Sequence, residues 1–328
     1  MLKTYWDEKM ALLEIKRLKT YFRIMRGYVK AVDDISFELE KGEALGLAGE
    51  SGCGKTTTAL SVLKILPSNG EIVGGQILFS GIDITKSSEE KMRREIRWKG
   101  ISYIFQGAMN ALNPVYKVGD QIVEAIMLHE HVNKREAAAR AKKLLELVGM
   151  EPSRFNNYPH EFSGGMKQRV MIAMAISCNP AVLVADEPGT ALDVMVQAQI
   201  LKLLRELKKK LSLSMILITH DLSIIAETCE KTAIMYAGKI VERGSIQDIF
   251  YNPLHPYTIG LISAFPNIKA AKTRVKSIPG TPPDLLNPPQ GCRFHPRCQY
   301  AMDICKKKDP CLIEVEKGHY VACHLTKR

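Results

Sequence analysis

The sequence predicts an α/β fold built around a parallel β-sheet, and three observations lead to this fold class. Short apolar runs of strand type alternate along the chain with helical patterns, which is typical of parallel sheets. Residues 181–185 are continuously apolar, as strands buried on both faces are. A glycine-rich turn, residues 49–56, lies between a predicted strand and a predicted helix.

The elements of the N-terminal half follow from local patterns. We predict strands at residues 32–37, 44–48, 70–81 and 101–105, and a helix from Thr56 onward. A second helix should begin near Asn133 and end at Gly149, because its apolar residues recur at i, i+3, i+4 and i+7. These apolar residues are Ala141, Leu144, Leu145 and Val148.

The second half repeats the alternation and then changes character. We predict strands at residues 182–185 and 215–219, and between them a helix with one apolar face formed by Ile200, Leu203, Leu204, Leu207 and Leu211. Eight prolines lie between residues 251 and 290, which disfavours regular helix or sheet there. We therefore expect an extended arm at residues 251–290. The sequence contains no evident internal repeat.

Composition limits the classes of protein that need to be considered. A chain of 328 residues favours about two domains. With 46% hydrophobic and 25% charged residues it is globular rather than disordered, collagenous or coiled-coil. Its aliphatic runs are far shorter than the ~20 residues that span a bilayer, and its first ten residues lack the apolar core of a secretory signal. We expect a soluble, cytoplasmic chain that reaches a membrane only through partners.

The net charge of +11, from 46 basic and 35 acidic residues, indicates an anionic partner. Nucleic acid, an anionic membrane surface and phosphate ligands all fit such a charge, and the charge alone does not choose among them.

The glycine-rich turn fits the phosphate-binding pattern G-x-x-x-x-G-K-[ST]. Its glycines let backbone N–H groups turn toward phosphates, and the helix N-terminus adds positive potential. Lys55 should reach the β- and γ-phosphates, and Thr56 should offer its hydroxyl to Mg²⁺. A turn without a ligand is the alternative. The candidate nucleotide-binding residues of this loop are Gly49, Ser51, Gly52, Cys53, Gly54, Lys55, Thr56 and Thr57.

Two carboxylates follow the apolar run of residues 181–185. The carboxyl end of such a strand lies beside the phosphate loop in doubly wound sheets. Asp186 is then placed to hold Mg²⁺, and Glu187 to orient and deprotonate an attacking water. A solvated strand end is the alternative for either residue taken alone. Together with the phosphate loop, the pair predicts hydrolysis of ATP or GTP.

Residues 162–169, FSGGMKQR, resemble the signature of the ATP-binding cassette family. Other family motifs follow in order: Gln106 looks like the Q-loop glutamine, residues 190–193 resemble the D-loop, and His220 looks like the switch histidine. The resemblance implies a P-loop cassette with a parallel core sheet, an antiparallel β subdomain and a helical signature subdomain, followed here by a cysteine-rich C-terminal extension.

The family resemblance also implies roles for individual residues. Glu187 would be the catalytic base, His220 would position the water and the γ-phosphate, and Gln106 would sense the γ-phosphate and Mg²⁺. The signature and D-loop residues would contact the nucleotide held by a second cassette; these are Ser163, Gly164, Gly165 and Asp193. An aromatic side chain before the first strand usually stacks on adenine. Tyr28 is the candidate and Phe22 the second choice, with simple packing as the alternative for both.

Four further stretches of sequence indicate one branch of this family. Residues 108–114, 252–258, 278–283 and 291–298 look like the ATPase subunit of dipeptide/oligopeptide importers, a branch that also includes importers of nickel and oligosaccharides. This implies a second, distinct cassette chain and two permeases, docked near residues 106–114. It also implies an extracytoplasmic substrate-binding protein, no nucleic acid, and a peripheral position on the cytoplasmic face of the membrane.

Five of the eight cysteines lie in the last 37 residues, a density that indicates metal binding in a reducing compartment. With His295, His319 and His324 nearby, the spacing alone favours Zn²⁺ over an Fe–S cluster. The family resemblance implies instead a [4Fe–4S] cluster, with Cys311 as a spare thiol and unmetallated cysteines as the third alternative. The implied cluster ligands are Cys292, Cys298, Cys305 and Cys323.

The predicted domain organisation has three parts. Residues 1–12 form an N-terminal extension, residues 13–250 the nucleotide-binding cassette, and residues 251–328 the proline-rich arm with a metal-binding domain. Two other functions are considered: a soluble cassette ATPase acting on nucleic acid or in Fe–S assembly, and a metal-sensing regulatory module. The long heptad arms of DNA-repair cassettes and the duplicated cassette of translation factors are not evident in this sequence.

Overall fold

The structure, a computed structural model, describes residues 11–107, 110–264 and 278–327. Expectations for most of the N-terminal extension, for Ala108 and Met109, and for part of the arm lie outside these residues. The strands are β1 (Leu13–Ile24), β2 (Gly27–Leu39), β3 (Ala44–Ala48), β4 (Gly70–Phe79), β5 (Ile82–Asp83), β6 (Ile101–Ile104), β7 (Val182–Asp186), β8 (Ser214–Ile218), β9 (Lys231–Tyr236), β10 (Lys239–Ser245), β11 (Ile313–Glu316) and β12 (His319–Val321).

The helices connect these strands and cover the sheets. They are α1 (Lys55–Leu63), α2 (Glu89–Lys91), α3 (Val118–His129), α4 (Lys134–Leu147), α5 (Gly164–Ala175), α6 (Val194–Leu211), α7 (Leu222–Thr228), α8 (Ile246–Tyr251), α9 (Pro256–Ser263) and α10 (Asp303–Lys307). Among the residues described, no helix combines the length and the apolar character needed to cross a bilayer.

The main sheet has the strand order β11-β12-β10-β9-β3-β8-β7-β6. The strands β9, β3, β8, β7 and β6 pair in parallel, which confirms the predicted parallel core. Strands β3, β7 and β8 are buried at every position, as their continuous apolar sequences predict. Because β6, β7 and β8 are neighbours and parallel, the residues that follow them meet at one edge of the sheet.

A second, antiparallel sheet has the order β2-β1-β4-β5. Its apolar face, with Leu13, Ile35 and Ile77, joins one core with Val62 and Leu63 of α1. The sequence patterns revealed β2 and β4 but missed β1, whose register with β2 and β4 is interrupted by bulges. This sheet corresponds to the expected antiparallel β subdomain.

The predicted helix at residues 133–149 is confirmed as α4. The Asn133 side chain caps it by accepting a hydrogen bond from the N–H of Glu136 at 3.0 Å, and Gly149 follows its end with φ +74°. Buried residues on α3, α4 and α5 pack into a common core with those on α6. This packing gives the helical subdomain that carries the signature.

The prediction of an extended arm is wrong at residues 256–263, which form α9. Pro256 occupies the first position of this helix, where a missing N–H leaves no hydrogen bond unmade. His255 caps the same turn, since its Nδ1 accepts a hydrogen bond from the N–H of Tyr257 at 3.0 Å. Residues 278–290 contain no helix or strand, as predicted.

The tail contributes two strands to the main sheet. Strand β12 pairs with β10, with Val321 opposite Glu242, and β11 pairs with β12. Strand β10 lies before residue 250, so the sheet continues across the predicted domain boundary there. The expected C-terminal extension is thus partly integrated into the cassette through hydrogen bonds between strands.

Candidate functional site

The phosphate-loop candidate connects β3 to α1 in a tight turn that requires glycine. Gly49 and Gly54 have φ values of +148° and +107°. A Cβ atom would lie 2.1 Å from the carbonyl oxygen of Met235 at Gly49, and 2.3 Å from that of Ala31 at Gly54. These two positions therefore do not tolerate a side chain of their own.

Lys55 is placed inside the loop. Its side chain is buried, and its Nζ donates hydrogen bonds to the carbonyl oxygens of Gly49 at 2.6 Å and Glu50 at 3.1 Å. Burial raises the pKa of the nearby Cys53 thiol, so this cysteine remains neutral at physiological pH. The ammonium of Lys55 is thus available to a phosphate group without competition from a thiolate.

Asp186 ends β7 and is 1% exposed. Its carboxylate accepts a hydrogen bond from the Tyr103 hydroxyl at 2.7 Å. Burial raises the pKa of Asp186, although the hydroxyl groups of Tyr103 and Thr56 act in the opposite direction. A carboxylate beside a hydroxyl offers the oxygen ligands that Mg²⁺ prefers. The sequence analysis missed Tyr103, although a tyrosine within an apolar strand beside β7 was a usable signal.

Glu187 lies at the centre of the site and accepts three hydrogen bonds. Gln106 Nε2 and Thr190 Oγ1 donate to Oε2 at 2.9 and 2.8 Å. Nδ1 of His220 lies 3.1 Å from Oε1, and because a carboxylate only accepts, this nitrogen carries the proton. The structure thus brings together Gln106, Glu187 and His220, which follow β6, β7 and β8.

The same hydrogen bonds determine the ionisation of Glu187. Burial acts to raise the pKa of its carboxyl group, but the hydrogen bonds from His220 and Thr190 outweigh this effect, and the pKa lies below its ordinary value. Glu187 is therefore ionised at neutral pH and able to accept a proton. Thr190, which the sequence analysis assigned only to a loop motif, is a further residue of this site.

The signature and D-loop residues lie at the starts of α5 and α6. The Ser163 side chain accepts a hydrogen bond from the N–H of Met166, and Asp193 accepts one from the N–H of Val196 at 3.0 Å. A Cβ atom at Gly165 would lie 2.6 Å from Cγ1 of Val196, so the two helix starts approach closely. Both capping side chains are exposed, and these helix N-termini are therefore accessible to an anion.

The candidate for adenine stacking, Tyr28, lies on β2 and is 49% exposed. Phe22 is half-buried, and its ring packs near Gly70 on β4. An exposed ring face is what stacking requires, so Tyr28 keeps the better position. Its role stays a prediction.

The four cysteines assigned to a cluster lie near one another in the tail. The N–H of Cys292 donates to the carbonyl oxygen of Cys305 at 2.8 Å. Burial, with smaller contributions from the thiols of Cys305, Cys323 and Cys298, raises the pKa of the Cys292 thiol to about 12. Cys311 is exposed. Within residues 11–107, 110–264 and 278–327, however, no group of three or more Cys, His, Asp or Glu side chains has a geometry that could hold a metal ion. The geometry therefore does not support the predicted cluster.

Comparison with known families and proteins identifies similar sequences along most of the chain. The family described as "ABC transporter" matches residues 32–190, and "Oligopeptide/dipeptide transporter, C-terminal region" matches residues 241–305. The oligopeptide transport ATP-binding protein OppD of Bacillus subtilis (strain 168) is 48% identical over 314 residues, which cover 94% of this chain and 87% of that protein. OppD of Escherichia coli (strain K12) is 48% identical over 315 residues, covering 95% and 93%. The dipeptide transport ATP-binding protein DppD of Caldanaerobacter subterraneus is 44% identical over 316 residues, covering 96% and 97%.

Solved structures share the fold. The ATP-binding cassette MJ0796, in a dimeric post-hydrolysis state bound to ADP and Pi, superposes with a TM-score of 0.63 at 22% identity, covering 71% of this chain and 98% of that one. The cbiO1 protein of Clostridium perfringens, part of the ABC transporter complex cbiONQ, has a TM-score of 0.63 at 27% identity, covering 74% and 91%. These similarities confirm the predicted cassette fold with its mixed α/β sheets.

Proposed function

Because this chain belongs to the ATP-binding cassette transporter family, as the ATPase of an importer, we propose that the residues gathered around Glu187 carry out its ATP hydrolysis. The observation that carries this proposal is the ionised Glu187 carboxylate, held by hydrogen bonds from Gln106, Thr190 and His220 beside the buried Asp186. A base fixed at a strand end next to a phosphate loop is what attack by water on a phosphate requires.

In the proposed reaction, the phosphate loop holds the β- and γ-phosphates, with Lys55 as the charged contact. Asp186 and Thr56 would hold Mg²⁺, and Gln106 would contact it; the ion supplies neutralisation of the charge that develops on the phosphate oxygens. The oxygen of a water molecule attacks the γ-phosphorus and the bond to the bridging oxygen of ADP breaks. The water proton passes to Glu187, and His220 orients the water and the γ-phosphate. ADP and phosphate leave.

We further propose that hydrolysis requires a second cassette. The starts of α5 and α6 are exposed and lie side by side, and Val194 and Met195 beside them are 79% and 73% exposed. Such apolar exposure is typical of an interaction surface. Ser163, Gly164, Gly165 and Asp193 would face the nucleotide of the partner cassette, which we expect to be a distinct, similar chain.

The permeases are proposed to dock beside Gln106. The side-chain amide of Gln121 donates to the carbonyl oxygens of Asn113 at 3.0 Å and Tyr116 at 3.1 Å, and so holds this turn in place. Val115 and Tyr116 on the turn are 71% and 58% exposed. A turn held in this way and carrying exposed apolar side chains would transmit closure of the site to two membrane-spanning partners.

For the cargo we propose di- or oligopeptides, with oligosaccharides as the alternative, because the relatives named above are peptide transport proteins. A substrate-binding protein outside the membrane would deliver the cargo, and the chain would lie on the cytoplasmic face of the membrane. The second candidate, a soluble ATPase acting on nucleic acid, is not favoured by these relatives.

The [4Fe–4S] cluster remains a proposal for the tail. Its support is the residue type: Cys292, Cys298, Cys305 and Cys323 would supply the four thiols that such clusters need, although the described part of the chain does not hold them in a metal-binding geometry. These residues would hold the cluster, with Zn²⁺ as the alternative. An anaerobic preparation with about four irons per chain and brown colour would support the cluster; stoichiometric zinc, or neither metal, would contradict it.

The test of the catalytic assignment is Glu187→Gln in the assembled transporter. We expect phosphate release to fall about 10²-fold or more while ATP binding persists, because the amide cannot accept the proton. Glu206→Gln, at an exposed position on α6, is the matched control and should hydrolyse ATP normally. Undiminished phosphate release by Glu187→Gln would show that another group is the base.

A further inference from the structure

The tail loop, residues 292–298, reaches the phosphate loop directly. Arg297 is 8% exposed, and its guanidinium forms two hydrogen bonds to the carboxylate of Glu50, at 2.6 and 3.0 Å. Glu50 is the second residue of the phosphate loop. A planar guanidinium that binds both carboxylate oxygens is among the strongest and most directional polar contacts in proteins.

The Arg297 side chain is itself held in place. Its Nε donates to the carbonyl oxygen of Pro279 at 2.7 Å, and one terminal nitrogen donates to the hydroxyl of Tyr236 at 3.3 Å. Because these two contacts hold the guanidinium in place, the guanidinium restricts the position of the Glu50 carboxylate.

An aromatic cluster makes a second connection. The Tyr257 hydroxyl accepts a hydrogen bond from the backbone N–H of Glu50 at 2.9 Å. The Tyr257 ring packs against Phe294 of the tail loop at 5.4 Å and against Tyr236 at 4.6 Å between centroids. All three rings are 3% exposed or less, so the tail loop and the phosphate loop share a packed interior.

The tail loop is also linked to the phosphate loop indirectly, through residues 237 and 238. Arg293 is buried, pairs with Asp33 and donates to the carbonyl oxygen of Ala237. The next residue, Gly238, donates its N–H to the carbonyl oxygen of Cys53 at 2.9 Å. The tail loop therefore contacts Glu50 directly and is linked to Cys53 through residues 237 and 238.

We infer that the tail loop positions the phosphate loop for nucleotide, with Arg297 and Tyr257 as positioning residues. This inference rests on the proposed function. An acidic side chain in a phosphate-binding loop repels the phosphates unless its charge is compensated, and Arg297 supplies that compensation. Arg297 thus both orients Glu50 and neutralises it. Because the coupling between two sites is reciprocal, nucleotide binding should stabilise the folded tail loop by the same free energy by which the tail loop strengthens nucleotide binding.

The test compares Arg297→Gln and Arg297→Lys with the wild type in the assembled transporter. We expect the Kd for MgATP to rise about tenfold in Arg297→Gln, which equals about 1.4 kcal/mol of binding free energy. The kcat at saturating MgATP should change much less, because the residues around Glu187 are untouched. Arg297→Lys retains the charge without the two-point contact and should give an intermediate Kd.

The double variant Glu50→Gln with Arg297→Gln separates charge from packing. It removes the uncompensated carboxylate, so it should bind MgATP more tightly than Arg297→Gln alone. Asp309→Asn is the matched control, because it breaks another contact between tail and cassette, the 2.6 Å pair with Lys239. Its Kd should equal that of the wild type.

Hydrogen exchange provides the reciprocal readout. MgATP should slow exchange at residues 292–298 in the wild type and lose this effect in Arg297→Gln. A Kd unchanged in Arg297→Gln, or a double variant no tighter than Arg297→Gln, overturns the inference while leaving the proposed function intact. A wild-type chain that binds no MgATP overturns the proposed function itself.

Discussion

Glu242 is a buried carboxylate on which three separate elements depend, and Glu242→Gln is the most informative test of how the tail is attached. Glu242 is 0% exposed. Oε1 accepts hydrogen bonds from the N–H of Leu254 at 2.8 Å and from Nε2 of His319 at 2.8 Å. Oε2 accepts one from the N–H of His255 at 2.9 Å. This single side chain thus joins β10, the start of α9 and the tail strand β12.

Glutamine has almost the same shape but replaces one acceptor oxygen by an NH₂ donor. If the NH₂ replaces Oε2, it faces the N–H of His255; if it replaces Oε1, it faces the N–H of Leu254. Either orientation leaves at least one buried donor without an acceptor, which costs about 1–3 kcal/mol. Because the charge that strengthened the remaining bonds is also lost, we expect a loss of about 2–3 kcal/mol in the free energy of unfolding.

The assay is equilibrium unfolding in urea followed by circular dichroism, with hydrogen exchange at residues 313–321 as the local readout. The midpoint should fall with an unchanged slope, and exchange in the β11–β12 hairpin should accelerate more than exchange in β3. Glu90→Gln removes the same charge from an exposed pair with Arg94 and should change stability by less than about 0.5 kcal/mol. If Glu242→Gln proved as stable as Glu90→Gln, the carboxylate would not be the required acceptor.

Two further predictions concern His255 and the phosphate loop. Burial lowers the pKa of His255 from 6.5 to about 3. As the pH falls below 6.5, the unfolded chain therefore binds a proton at His255 before the folded chain does. The free energy of unfolding should then decrease by about 1.4 kcal/mol per pH unit between pH 6.5 and pH 3. His255→Asn retains a capping side chain but does not titrate, so its urea midpoint should depend less on pH over that range; an equal dependence would contradict the assignment. Gly54→Ala should abolish MgATP binding, because its Cβ would lie 2.3 Å from the carbonyl oxygen of Ala31 at φ +107°. Gly42→Ala, at φ +76° with no neighbour within 4 Å, should bind MgATP normally; a calorimetric titration in which both variants bind equally would refute the steric argument.

Much of the fold and of the candidate site could be predicted from short segments. The strands β3, β7 and β8 are buried at every position, so their apolar sequences identify them without reference to the rest of the chain. The helix α4 is equally local, because its apolar spacing and its cap lie within the segment itself. The phosphate loop and Glu187 follow strand ends and were placed together by the rule that parallel strands end at one edge, whereas His220 was assigned through the family resemblance.

The residues that were missed depend on partners far away in the chain. Tyr103 matters only because β6 lies beside β7, which brings its hydroxyl to Asp186. Residues 256–263, which form α9, were predicted to be extended because the prediction counted the prolines of this region and did not consider where they lie. Pro256 occupies the first position of the helix, where a proline does not oppose helix formation. The tyrosine and the proline are both visible in the sequence, but the pairing of β6 with β7 is decided only by the tertiary structure.

The sequence by itself therefore identified the candidate groups for the chemistry of this protein, because the phosphate-loop pattern, the candidate base and the candidate magnesium ligand each lie within a few residues. Only the tertiary structure decided which residues of the cassette the tail contacts. Arg297 and Glu50 are 247 residues apart, and His319 and Glu242 are 77 apart. No periodicity or motif links such positions, since the match of charge, shape and burial between them exists only once the chain has folded.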